Sequence, residues 1–250
     1  MRHKWKVKAI MVGSIGGNMS GLLHYIGENK AVEVPMWMVA ATDGVHKVII
    51  DTGIDDLDPI VSGPEPNCRR KPEQRTTAAL RSAMGWEPEE VDTVVNTHLH
   101  FDHCGGNRFF KNARLMVQRN EWEAANDPVP ATAFLYYEPY FSKKTISYFQ
   151  WQFTSGEEEV YPGMLVLPTP GHTLGHQSVL IDTAEGTLCV AGDAVNIIDN
   201  INTNTESSIV VDSRKVFMSF ASIREKADRI IPGHEFRISN LSESGFPEIL

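Results

Sequence analysis

Within Thr97-His98-Leu99-His100-Phe101-Asp102-His103, three histidines and an aspartate fall in the six residues 98–103, behind the apolar run 91–97 and ahead of Gly105-Gly106. No other feature restricts the fold so severely. Four groups with lone pairs at the end of a strand must either be solvated one by one or be gathered around a common partner. The whole chain holds nine histidines, so three in one turn point to a shared purpose. His98 and His100 stand two apart at the strand's end, where both side chains can lean to one side as the chain leaves the sheet. Asp102 and His103 come around the turn and can face a second point nearby. Neutral imidazole together with carboxylate suits Zn²⁺, with Mn, Fe or Co as alternatives of the same chemistry. One tetrahedral ion cannot comfortably take four ligands from one loop, so two divalent ions sharing the segment are the better solution.

Further ligands must come from elsewhere, and three places repeat one design. Pro168-Thr169-Pro170-Gly171-His172-Thr173 sets a histidine on a rigid turn after an apolar run, with His176 close by as a competitor. Leu188-Cys189-Val190-Ala191-Gly192-Asp193 ends an apolar strand on an aspartate. Ile230-Ile231-Pro232-Gly233-His234 does the same with a histidine. Together with the first cluster they describe a site at one edge of the sheets.

Strand-like runs fall at 6–12, 35–42, 47–51, 93–97, 114–118, 164–168, 177–182, 188–191 and 229–232. Several are continuously apolar and β-branched, as in sheets covered on both faces. Helical spacing appears at 76–84, ending at Gly85, and at 119–125, with Asn120 as a candidate cap. It appears again behind Asp212 or Ser213, where Val216, Phe220, Ile223 and Ala227 share a face. Strands interrupted by helices predict an α/β or α+β layered fold, as one domain over 1–250. Residues 55–71 and 128–152 read as irregular. The second is crowded with aromatics and suits a packed covering of the core, a pocket wall or a homodimer contact.

Three cysteines, widely spaced, make no disulfide framework and suit a reducing compartment. The apolar stretch 9–12 is too short for a signal-peptide core, and no window reaches the roughly 20 apolar residues of a membrane span. A cytoplasmic protein without membrane attachment is the expectation. A net charge of −9, with no dense Lys/Arg stripe, argues against a nucleic-acid partner. A small-molecule substrate remains.

His98-x-His100-x-Asp102-His103, followed in order by His172, Asp193 and His234, resembles the ligand pattern of the metallo-β-lactamase superfamily. Within it the chain is most similar to the N-acyl homoserine lactonases, through residues 34–39, Ile49-Ile50-Asp51-Thr52-Gly53, 98–107 and 169–178. The resemblance implies an αβ/βα sandwich with the site at the open edge of two sheets. It implies one metal on His98, His100 and His172, a second on Asp102, His103 and His234, and Asp193 bridging both beside a hydroxide. Asp51 would orient a ligand histidine, its alternative being to cap a loop. A single Asp-Thr-Gly cannot make an aspartic protease, which needs two. Thr97 and Thr173 would either support ligands or make ordinary turn hydrogen bonds. Cys104 reads as a packing residue.

The reaction so implied is lactone opening by attack of the metal-bridging hydroxide, with Asp102 or Asp193 passing a proton to the leaving alkoxide. The chain departs from the lactonases at one place. They typically carry a tyrosine three residues after the bridging aspartate, where this chain has Asn196. Asn196, Phe101, Tyr136 and Tyr137 are the candidate substrate contacts. The departure keeps another small ester, thioester or cyclic amide open as substrate. A non-catalytic metal-binding protein of the same fold would show a missing ligand, and none is missing.

Overall fold

The computed structural model describes residues 4–55, 67–238 and 246. The strands are β1 (Lys6–Asn18), β2 (Ala31–Thr42), β3 (Lys47–Ile50), β4 (Cys68–Arg69), β5 (Thr93–Val95), β6 (Arg114–Gln118), β7 (Gln150–Thr154), β8 (Glu158–Tyr161), β9 (Met164–Pro168), β10 (Gln177–Thr183), β11 (Gly186–Gly192) and β12 (Arg229–Pro232). They form a seven-stranded sheet ordered β4-β1-β2-β3-β5-β6-β7 and a five-stranded sheet ordered β12-β11-β10-β9-β8.

The continuous apolar runs are explained by the two-residue period of a strand, which sends alternate side chains to opposite faces. Val48, Ile50, Val95 and Met116 meet Val179, Ile181, Val190 and Ile231 in the core between the sheets. Their neighbours Ile49, Val94 and Leu115 point the other way, against Leu80 of the helix Thr76–Met84. Leu180, Cys189 and Ile230 likewise turn outward onto Val216, Phe220 and Ile223 of the helix Ser213–Lys226. Four layers result, helix–sheet–sheet–helix, and both sheets are buried on both faces. This is the αβ/βα sandwich.

The topology collects the strand ends. β3, β5, β6 and β7 run parallel. In the other sheet β11 and β12 are parallel, and β9 shares their direction because each pairs antiparallel with β10 or parallel with β11. Asp51, the 97–103 turn, His172, Asp193 and His234 each follow the C-terminal end of one of these strands. One edge of the sandwich therefore receives all of them.

Several local expectations change. The strands β4, β7 and β8 were not anticipated; β7, with sequence QWQFT, extends the sheet edge out of the stretch read as irregular. Of the other irregular stretch, residues 56–66 lie outside the described residues. Asn120 does not cap its helix: Arg119–Asn126 begins after Gln118, whose side chain instead bonds Gly156 and Gln177. Asp212 does cap Ser213–Lys226, accepting from Lys215 N at 3.1 Å. In the aromatic stretch Leu135, Tyr140, Phe141 and Phe149 are buried in the outer core, while Phe134 and Tyr148 are exposed.

Phe220 is fully buried between its helix and the smaller sheet, far along the chain from any ligand. Phe220→Ala is expected to lose about 3–5 kcal/mol of stability. Urea unfolding checks this as a lower midpoint at unchanged slope.

Candidate metal centre

Asp51 adopts a left-handed backbone, φ 54°, at the end of β3. The turn aims its buried carboxylate across to the end of β5. There it accepts the Thr97 amide at 2.7 Å, the Thr97 hydroxyl at 2.7 Å and the His103 ring at Nδ1, 2.7 Å. Since a carboxylate only accepts, Nδ1 of His103 carries the proton, and its Nε2 is free to present a lone pair. The Thr97 hydroxyl has given its proton to Asp51, so its oxygen accepts from His98 Nδ1 at 3.0 Å. That leaves the buried Nε2 of His98 as a lone pair with no hydrogen-bond partner.

The same logic sets two more rings. His172 Nδ1 donates to the Ile209 carbonyl at 2.7 Å, and His234 Nδ1 donates to the Pro35 carbonyl at 2.9 Å. Their Nε2 atoms turn inward. His172 Nε2 lies 3.1 Å from His100 Nδ1. His234 Nε2 lies 3.3 Å from Asp193 and 3.6 Å from Asp102. One oxygen of Asp193 faces His103 at 3.3 Å, and the other faces both His172, at 3.5 Å, and His234. Asp193 thus touches the ligand atoms of both halves.

Among the described residues three sets have ligand atoms within 4.8 Å of one another: His98 with His100 and His172, Asp102 with His103 and His234, and His98 with His103 and Asp193. These residues fit a pair of divalent ions. The buried Nε2 atoms of His98, His100 and His103 have no hydrogen-bond partner, which is unfavourable unless a cation supplies one. Each outward ring nitrogen of His98, His103, His172 and His234 is already bonded, which fixes tautomer and orientation.

Electrostatics divides the cluster. Burial, reinforced by neighbouring histidines, holds His98 and His100 well below the usual histidine range. Burial also lowers His172. Burial acts the same way on His103 and His234, but carboxylates overcome it. Asp193, Asp102 and Asp51 push His103 well up, and Asp193 and Asp102 raise His234 to about 9. Asp193 in turn lies well below the usual carboxylate range: burial opposes ionisation, and His234 and His103 outweigh it.

His176 is not part of the cluster. Its Nδ1 bonds the Thr169 hydroxyl at 2.9 Å, and its Nε2 accepts the Ala194 amide at 3.2 Å. It therefore braces the turn that carries Asp193. Thr173 donates to Glu121 rather than to a ligand. Glu121, fully buried, is the polar residue that reading the sequence missed. A glutamate in the first turn of a short polar helix looks like a solvated one, and nothing in its neighbours signals otherwise.

A cavity of about 210 Å³ opens onto His100, Asp102, His172, Asp193 and His234. Ile15, Leu22, Val34, Leu135 and Ile209 make its apolar wall, joined by Phe101. Asn196 lines it too, and its side chain makes no hydrogen bond among the described residues. Tyr136 and Tyr137 are not among the lining residues. The Tyr136 hydroxyl donates to Glu121 at 3.2 Å while its ring meets His100 edge-on at 4.7 Å, and Tyr137 packs on Tyr140.

A sequence model of the Metallo-beta-lactamase superfamily matches residues 31–234. An N-acyl homoserine lactonase of Bacillus thuringiensis is 30% identical over 173 residues, covering 66% of this chain and 66%, just under two thirds, of that protein. An N-acyl homoserine lactonase of Rhizobium radiobacter is 30% identical over 164 residues, 61% of each chain. The crystal structure of a quorum-quenching N-acyl homoserine lactone hydrolase superposes with a TM-score of 0.79 at 26% identity, over 96% of both chains. A probable metal-dependent hydrolase from Staphylococcus aureus shares the fold, with a TM-score of 0.80 at 17% identity over 94% of this chain and 91% of that one.

The raised histidines carry protons that an incoming ion must displace. Apparent metal affinity is expected to fall on acidification, by about tenfold per pH unit for each proton displaced. His234 has the opposite effect on the metal-free chain. Its contribution to stability is complete below 6.5 and is lost as pH rises through about 9. Isothermal titration in buffers of different ionisation enthalpy counts the protons. The thermal midpoint of the metal-free protein, falling on the alkaline side of neutrality, checks the second statement.

Proposed function

We propose that this chain, which belongs to the metallo-β-lactamase superfamily, is a metal-dependent hydrolase that opens the ring of an N-acyl homoserine lactone or a near relative. The observation that carries the reading is Asp193. It faces His172 of one ligand triad and His103 and His234 of the other in the lining of an apolar cavity, and such an arrangement suits hydrolysis of a small ester with an apolar tail. Relatives named as lactonases support the choice of a lactone. Cleavage of such a signal would amount to quorum quenching.

His98, His100 and His172 would hold one ion and Asp102, His103 and His234 the other, with Asp193 between. Zinc is the proposed metal. When bound, such a pair supplies a water acidified towards neutrality and a Lewis acid for the carbonyl oxygen. The chain's residues do the rest. Ile15, Leu22, Val34, Leu135 and Ile209 take the acyl chain out of water. The unpaired Asn196 amide donates a hydrogen bond to a substrate oxygen. In ring opening the water oxygen joins the carbonyl carbon and the ring C–O bond breaks. The water's proton ends on the leaving alkoxide, and Asp102 or Asp193, both of which line the cavity, would move it. Cys104 and Cys189 are buried thiols, which supports a reducing, cytoplasmic setting. No helix among the described residues is long and apolar enough to cross a membrane.

Acid release in a pH-stat, with butanoyl to dodecanoyl homoserine lactones, tests the assignment on zinc-loaded protein. Wild type is expected to open the ring, and Asp193→Ala to fall to background while keeping its circular dichroism. Asn196→Ala is expected to raise KM by on the order of tenfold, the worth of one hydrogen bond. Cleavage of other esters or cyclic amides, with every homoserine lactone left intact, would sink the lactone claim and leave the hydrolase.

A further inference from the structure

Glu121 is 0% exposed and forms no ion pair among the described residues. Burying a carboxylate without a cation is costly unless several donors surround it. Glu121 has four. Leu99 N donates to Oε1 at 3.0 Å and the Tyr136 hydroxyl to the same oxygen at 3.2 Å. The Thr173 hydroxyl and, at 3.3 Å, Gly175 N donate to Oε2. The donors are not scattered. Leu99 sits between His98 and His100. Thr173 and Gly175 follow His172. Tyr136 lays its ring against His100 at 4.7 Å.

The backbone is built around this contact as well. A Cβ placed on Gly175 would stand 1.9 Å from Glu121 N, so the His172 loop rests directly on the helix start that carries the carboxylate. His98 and His100 leave the larger sheet after β5, and His172 leaves the smaller one after β9. One carboxylate therefore joins the two sheets where three imidazoles must meet. The other triad is held by Asp51 at His103 and by the Pro35 carbonyl at His234, and Asp51 also reaches His98 through the Thr97 hydroxyl.

We infer that Glu121 is the positioning residue of the His98–His100–His172 triad, holding the two loops in register so that their ring nitrogens converge before an ion arrives. It touches neither substrate nor ligand atom; it acts through Leu99, Thr173, Gly175 and Tyr136. The inference rests on the proposed two-ion reading, and its test separates the two.

Glu121→Gln keeps the shape but turns one acceptor into a donor. The hydroxyls of Tyr136 and Thr173 can rotate to accommodate it, whereas the amides of Leu99 and Gly175 cannot. Zinc dissociation constants are measured by chelator competition on wild type, Glu121→Gln and Asp51→Asn. The Co²⁺ electronic spectrum distinguishes the all-imidazole triad from the one containing Asp102. For Glu121→Gln, one constant is expected to weaken about 10- to 100-fold, with the other changed by less than about twofold and the spectral loss confined to the all-imidazole triad. Asp51→Asn, whose carboxylate orients His103 directly and His98 through the Thr97 hydroxyl, is expected to weaken both constants. For Glu121→Gln, two unchanged constants would overturn the inference. So would two constants weakened by one common factor alongside a lower thermal midpoint of the metal-free protein, because Glu121 would then merely hold the fold. Should Glu121→Gln fail to fold, Thr173→Val removes one donor without touching the carboxylate. It must give a smaller loss at the same triad, and unchanged constants there overturn the inference equally. A wild type that takes up no ions defeats the functional reading instead.

Discussion

The hydrogen bonds to Asp51 are what the rest of the site depends on. A residue with a side chain is held at φ 54°, a conformation that costs about 1 kcal/mol or more and persists only where the surroundings enforce it. The return is that one carboxylate ties the end of β3 to the Thr97 amide, the Thr97 hydroxyl and the His103 ring. Proton accounting then propagates outward. Because Asp51 can only accept, Thr97 donates to it; because Thr97 has donated, His98 must donate to Thr97. Two ligand histidines have their tautomers decided by one anion that neither of them shares with a metal.

Such propagation matters because the cluster opposes its own assembly. His98, His100 and His172 are kept neutral by burial, yet Nε2 of His98 and of His100 is buried without a hydrogen-bond partner. Only a scaffold already held by other interactions can tolerate this. The double-sided burial of both sheets supplies it, since Val95 and Val190 fix strand ends in the inter-sheet core while Val94 and Cys189 fix the same strands from outside. A strand packed on both faces cannot slide or tilt at its end without opening a cavity. Ligands placed one to eight residues beyond such ends inherit that rigidity.

What was legible in the sequence follows from the range over which each signal acts. His98, His100, Asp102 and His103 are neighbours along the chain, so their convergence is nearly local. The layered fold was legible from its apolar runs. Which residues face which core was not, because a run apolar on both faces has no contrast to read. The choice between His172 and His176 was left open, since both follow β9 on one turn. It is decided by partners far along the chain: Ile209 takes the outer nitrogen of His172, and Ala194 takes the inner nitrogen of His176. β7 and β8 escaped notice because edge strands with alternating polar residues lack the apolar density of central ones. Glu121 was illegible for the same physical reason as His176, as its four donors come from three other segments.

Recognition and chemistry share less of the chain than their proximity suggests. The cavity wall is drawn from Ile15, Leu22, Leu135 and Ile209, none of which ends a ligand-bearing strand. Much of that wall is hung on Asn200, whose amide bonds the Leu22 carbonyl at 2.6 Å and the Thr205 carbonyl at 2.8 Å, and on the Ser208 amide bonding Gly21 at 2.8 Å. Side chains there can change volume without disturbing a ligand. Ile209 is where the two halves meet, since its side chain faces the cavity while its carbonyl sets the tautomer of His172. Substrate preference is therefore free to vary through the side chain at 209, whereas the path of the backbone is constrained by the metal centre. A loop that moved to enlarge the cavity would withdraw the acceptor that aims His172. The fold thus permits a change of wall far more readily than a displacement of it.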